Sequence, residues 1–176
     1  LRHNKQKNLL HTDKANAVRP QALWTRTFAE GAKEYPDVAT DHAYIDAACM
    51  WMHKNPEWFD VAVTTNLFGD IITDVGAMVQ GGLGIAASGN IHPGRVSLFE
   101  PIHGSAPKYK GQNSANPVAT VMAVALMLDH LGHPEAGRAI EGAVAAALQG
   151  GAIKTLSAGV QKNREIGDLL ASAVAG

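Results

Sequence analysis

Thr65-Asn66-Leu67-Phe68-Gly69-Asp70-Ile71-Ile72-Thr73-Asp74 is the stretch on which the reading of this chain turns. It follows Phe59-Asp60-Val61-Ala62-Val63-Thr64, an apolar run that predicts a buried strand. Gly69 breaks the run, and Ile71 to Val79 has helical spacing. Asp70 and Asp74 then stand one helical turn apart, on one face, just past a strand end. Two like charges at that spacing cost about a few tenths of a kcal/mol on an isolated helix. A cation between them reverses the sign, and oxygen donors of this kind suit Mg²⁺ or Mn²⁺. A pair of solvated surface carboxylates fits the same spacing.

Other pieces carry chemistry at intervals along the chain. Asp13-Lys14-Ala15-Asn16 and Tyr44-Ile45-Asp46-Ala47-Ala48 precede the aspartate pair. Gly81-Gly82-Leu83-Gly84 follows it, then Phe99-Glu100-Pro101-Ile102-His103-Gly104-Ser105-Ala106-Pro107, then Ala115-Asn116-Pro117. Six matches in one order over most of the chain make it similar to the β-decarboxylating dehydrogenases, the isocitrate/isopropylmalate dehydrogenase family. The resemblance implies an α/β fold of that family's type, not a Rossmann fold, and no G-x-G-x-x-G occurs in the chain. Family members are roughly twice this long, and Leu1 is no initiator methionine, so the chain reads as the C-terminal half of such an enzyme. Residues 1–80 would be part of the subunit-interface and metal-binding domain. Residues 81–176 would be the C-terminal part of the other domain, with the adenosine-binding loop.

The resemblance also implies roles. Asp70 and Asp74 would hold Mg²⁺ or Mn²⁺ with an Asp46 donated across a homodimer interface. By position alone Asp46 is an acid in a first helical turn, where the helix dipole favours it. Lys14 would be catalytic and reach the neighbouring subunit's site; a lysine near a cation trades protons more readily near neutral pH. Taken alone it is an exposed surface lysine. Asn16 would lie near the nicotinamide and substrate. Ala17 departs from the family pattern, which more often has valine directly after the asparagine.

The stretch from Glu100 to Pro117 reads as a functional loop. By resemblance Glu100, His103, Gly104, Ser105, Ala106, Lys108, Tyr109 and Asn116 belong to cofactor binding. His103 and Asn116 would meet the adenine, and Gly104 to Ala106 would form a tight turn at the cofactor. NAD-using members usually carry an acid where Lys108 stands. A lysine attracts a 2′-phosphate and Tyr109 can donate to one, so this pair leans to NADP over NAD.

The reaction implied is oxidation and decarboxylation of a 2-hydroxy diacid. Pro101 and Ser105 resemble the isopropylmalate type (leucine biosynthesis), whereas Lys108-Tyr109 with Gly111-Gln112 resembles the isocitrate type. Isopropylmalate is favoured, with isocitrate or tartrate/malate as alternatives. A rival of another class is a truncated, non-catalytic fragment that dimerises or binds nucleotide.

Composition is compatible with this. The 176 residues are 46% hydrophobic and 18% charged, within the globular range. Fifteen basic and sixteen acidic residues give a net charge of −1, which argues against nucleic-acid and membrane-surface roles. The single cysteine, Cys49, excludes a disulfide framework and fits a reducing, cytoplasmic compartment. The longest apolar run, Val118 to Leu128, falls short of the roughly 18 residues of a membrane span.

Further elements follow from punctuation. Helices are predicted over Pro20 to Lys33, Ile45 to His53, Val118 to Leu131, Pro134 to Gln149 and Asn163 to Val174, the last with Asn163 as N-cap. Trp24 and Phe28 read as core. Val38 to Tyr44 reads as a short strand or connector and Val96 to Phe99 as a short strand; residues 1–12 are polar and give only a weak signal, and Ala86 to Gly94 reads as loop. Asp129, His130 and His133 read as a solvated helix end.

Overall fold

A computed structural model describes residues 7–175. The chain divides into two compact units, one through Val79 and one from Gln80.

The first unit is a parallel α/β layer. Its central strand is β1 (Asn8–Asp13), flanked by β2 (Ala39–Tyr44) and the short β3 (Val61–Val63). β1 pairs with β2 from Asn8↔Ala39 to Asp13↔Tyr44, and with β3 from Leu9↔Val61 to His11↔Val63. Helix α1 (Gln21–Ala32) connects β1 to β2, and α2 (Ile45–Lys54) begins the connection from β2 to β3. α3 (Asn66–Val79) packs with α2 around Ile45, Ala48 and Ile72, closed by Met52 and Phe68.

One stretch with a weak signal is resolved here, and two expectations are corrected. Of the polar stretch 1–12, residues 1–6 lie outside the described residues, but the rest enters β1, the middle of the sheet. Its polarity hid it: His11, Thr12 and Asp13 are fully buried, where a parallel strand usually shows aliphatic residues. Second, the run before Thr65 is less buried than its apolarity suggests. Trp58 sits in a 3₁₀ turn, the strand is only three residues long, and Ala62 is exposed. Third, Gly69 does not interrupt anything. α3 starts at Asn66, and the Gly69 amide donates to Thr65 O at 2.8 Å within its first turn.

The second unit packs helices on a hairpin. β4 (Ala87–Asn90) and β5 (Leu98–Pro101) are antiparallel, with Ala87 opposite Pro101 and Asn90 opposite Leu98. Ala86 to Gly94 reads as loop from sequence because Ala-Ser-Gly-Asn has no strand-forming side chain. The pairing explains the small residues: a Cβ on Gly89 would stand 3.2 Å from the Phe99 ring across the ladder. The predicted strand Val96 to Phe99 is shifted to Leu98–Pro101.

Helices α4 (Val118–His130), α5 (Pro134–Gln149) and α6 (Asn163–Ala175) form the rest. Their core is Val118, Val144, Ala147, Ile153, Ile166 and Leu170, with Ile85 and Leu156 packed against it. All three helices match expectation, but the cap of α6 does not. Asn113, at φ +51° in the loop before α4, accepts from Arg164 N–H through its side chain and from Asn163 N–H through its carbonyl. That contact spans about fifty residues of sequence, so no local pattern announces it. No helix among the described residues is long and apolar enough to cross a membrane.

Candidate functional site

The C-terminal end of β1 and the start of α2 build the first group. Lys14 follows directly on β1, and Asp46 is the second residue of α2. Lys14 Nζ donates to Asp46 Oδ1 at 2.5 Å, and stands 6.0 Å from the centre of the Tyr44 ring. The Lys14 bond, assisted by backbone amides at the helix start, holds the exposed Asp46 carboxyl below its usual range. Cys49, one turn along α2, is pushed up by burial and then by the Asp46 charge. Asn16 is exposed in the turn after Lys14.

Asp70 and Asp74 are both exposed on α3, one turn apart. Two oxygen donors at that spacing fit one corner of a Mg²⁺ or Mn²⁺ shell, which keeps waters and takes substrate oxygens. Asp46 of the same chain is paired with Lys14 instead. Among the described residues, the group of three or more metal-type donors that converges is His11, Asp13 and His42.

The sequence does not single those three out, although Asp13 belongs to the Asp13-Lys14 motif. Asp13 Oδ2 accepts from Thr25 Oγ1 at 2.7 Å and lies 3.0 Å from His42 Nε2; Oδ1 accepts from Ala15 N–H at 2.8 Å. Burial alone would raise the Asp13 carboxyl, but these bonds outweigh it and hold it low. Burial pushes His11 down, against the opposing pull of Asp13.

In the second unit, His103, Gly104, Ala106, Tyr109 and Asn116 come together around one cavity of about 380 Å³, with Leu83 and Leu156 as apolar walls. That volume is within the roughly 300–1,000 Å³ of small-molecule sites. Ala106 sits at φ +41° and starts the 3₁₀ turn Pro107–Tyr109, which points the loop around the cavity. His103 Nδ1 is 2.9 Å from Gly104 O. The Asn116 carboxamide is used inside the fold: it donates to Thr155 O at 3.0 Å and accepts from Val118 N–H at 2.9 Å, tying the start of α4 to the loop that carries Leu156.

Glu100, Ser105 and Lys108 do not line this cavity. Glu100 is on β5, within 3.4 Å of Asn90 Nδ2. Lys108 is exposed, its Nζ 4.9 Å from the centre of the Tyr109 ring. Leu156 and Ala158 escape sequence reasoning; about forty residues separate them from Asn116, and only the fold brings them round.

The isocitrate/isopropylmalate dehydrogenase family matches residues 1–168, which include the α/β layer and the cavity of the second unit; the chain belongs to that family. Among its relatives are the 3-isopropylmalate dehydrogenases of Frankia casuarinae, 51% identical over 156 residues, and Streptomyces coelicolor, 53% identical over 156 residues. These alignments cover 88% of this chain and 45% or 44% of the relatives, so the chain spans about half the length of the curated proteins it matches. Of solved structures, isocitrate dehydrogenase from Methylococcus capsulatus superposes with a TM-score of 0.88 at 39% identity, covering 96% of this chain and 51% of that one. The TT0538 protein from Thermus thermophilus superposes with a TM-score of 0.87 at 34% identity, covering 99% and 36%.

Proposed function

We propose that this chain carries the cofactor pocket, metal carboxylates and catalytic lysine of a nicotinamide-dependent β-decarboxylating dehydrogenase acting on 3-isopropylmalate. The observation that carries the reading is the cavity of the second unit, where five residues chosen from sequence converge. The isopropylmalate assignment is supported by relatives of that name at about half identity over most of this chain.

In this reading the cavity takes the adenosine end of the cofactor, with Leu83 and Leu156 against the base. Tyr109 lines the cavity and the exposed Lys108 lies next to it in the chain, outside the cavity; a 2′-phosphate reaching past Tyr109 would meet that lysine, which favours NADP. Asp70 and Asp74 would hold a divalent ion, which would supply Lewis-acid polarisation of the substrate oxygen. Asp46 and Lys14 pair with each other rather than joining the α3 carboxylates. That supports a homodimer in which one subunit's Lys14–Asp46 pair faces the partner subunit's α3. Lys14 Nζ, which donates to Asp46 Oδ1, is the group assigned to pass a proton to or from the substrate oxygen.

The test has two arms. Binding of NADP⁺ and NAD⁺ to the chain is measured by calorimetry, for the wild type and Lys108→Glu. Preference for NADP⁺, reversed by the substitution, is the expected result; equal weak binding to both, unchanged by it, refutes the cofactor assignment. Formation of reduced nicotinamide is then followed with Mg²⁺ or Mn²⁺ and either 3-isopropylmalate or isocitrate, in the chain joined to the remaining length its relatives possess. Turnover of isocitrate alone would overturn the substrate.

A further inference from the structure

We propose that His11, Asp13 and His42 form a second metal site in the first unit, for a borderline-soft divalent cation of the zinc class. It is separate from the carboxylate pair on α3 in residues and in chemistry. The donor atoms of the three side chains all lie within 4.8 Å of one another. Asp13 Oδ2 is 3.0 Å from His42 Nε2 and 3.5 Å from His11 Nε2. A tetrahedral zinc centre with bonds of about 2.0–2.1 Å spaces its donors about 3.3 Å apart. The two histidine–carboxylate spacings match that geometry before any ion enters, and the third donor pair, His11 and His42, lies within 4.8 Å and closes on the ion as it binds.

The second observation is an unused nitrogen. His11 is 1% exposed, and its Nε2 has no hydrogen-bond partner although it faces the Asp13 carboxylate. The large majority of buried side-chain polar atoms find a partner. The ring is also held in place: it stacks on Phe28 at 4.5 Å between centroids with planes 13° apart. Asp13 is fixed from behind by the Thr25 hydroxyl and the Ala15 amide, the kind of support that orients metal ligands. Access comes from His42, whose side chain is 39% exposed. It opens on a cavity of about 600 Å³ that His11 and Thr25 also line, with room for a water as fourth ligand. On binding, His42 carries its proton on Nδ1, and the ion replaces its present hydrogen bond to Asp13. Imidazole nitrogen with one carboxylate selects zinc-class ions over Mg²⁺.

Cobalt(II) is the probe, titrated into the whole chain with excess Mg²⁺ present to fill oxygen-only sites. The expected result is the intense visible absorption of a tetrahedral nitrogen/oxygen centre. His42→Ala, a half-exposed position, should weaken binding at least tenfold, and Thr25→Val about tenfold by loosening Asp13; Asp70→Asn, which removes a donor of the oxygen-only site, should leave these tetrahedral bands in place. Circular dichroism confirms that each variant folds. The proposal is overturned if no such bands appear, or if Co²⁺ binding survives His42→Ala unchanged and is lost in Asp70→Asn.

Discussion

One helix offers the same substitution with opposite expected signs. Gly137 and Gly142 both lie in α5. A Cβ built on Gly142 meets nothing within 4 Å, so alanine there gains helix propensity, about 0.5–1 kcal/mol, and loses nothing. A Cβ built on Gly137 would stand 2.9 Å from Ala125 O of α4, against 3.4 Å for ordinary contact. The obstacle is backbone, so α4 and α5 must part by roughly half an ångström in a close-packed core, a kind of overpacking that costs about 1–3 kcal/mol. Propensity offsets less at Gly137, which lies in the first turn of α5. The net expectation is stabilisation by about 0.5–1 kcal/mol for Gly142→Ala and destabilisation by about 1–2 kcal/mol for Gly137→Ala. At roughly 4–8 °C per kcal/mol for a unit of this size, thermal unfolding should separate the two variants by about 6 °C or more. If both variants shift Tm in the same direction, the close crossing of α4 on α5 is not what Gly137 is for.

Other expectations follow from the same contacts. In chelator-treated protein, the Asp46 carboxyl titrates below the usual carboxylate range; Lys14→Met returns it upward, as NMR titration would register, and an unmoved value refutes the pairing. Because the folded value is the depressed one, this pair's contribution to stability is complete above the unfolded carboxylate pKa and disappears as pH falls through the folded value. Cys49 should react slowly with a thiol reagent at neutral pH, since burial and then Asp46 both disfavour its thiolate, and Asp46→Asn should speed it without unfolding the chain. Ile166→Ala, at a residue 3% exposed in the helical core, should cost about 2–5 kcal/mol in urea unfolding; a loss under about 1 kcal/mol would mean that the core is looser than its packing.

What sequence revealed and what it concealed divide along a physical line. Helices α1, α2, α4 and α5 are bounded by local signals such as Pro20, Asn55-Pro56, Gly132 and Gly150-Gly151, and local signals are legible. β1 and β4 are specified by partners instead. His11 and Asp13 are tolerable in a buried strand because Thr25 and His42 lie against them, and Gly89 suits a strand only because Phe99 crosses it. The site follows the same division. Lys14, Asp46, Asp70 and Asp74 sit in short motifs that carry their own spacing, whereas Leu156 in the cavity wall and His42 beside Asp13 reach their places only through long-range pairing.

The register of the sheet has a consequence for the lysine–aspartate pair. Asp13 and Tyr44 are the last matched residues of β1 and β2, Lys14 is one step beyond on the first strand, and Asp46 two steps beyond on the second, with no residue between the end of β2 and the start of α2. The ladder therefore acts as a ruler whose smallest graduation is one residue, about 3.3 Å. A contact of 2.5 Å cannot survive an error of that size, and the same slip would turn every β2 side chain to the wrong face. Positional error at the pair is thus digital rather than gradual: a chain whose sheet has formed correctly has set the Lys14–Asp46 spacing already, and one that has not cannot approximate it.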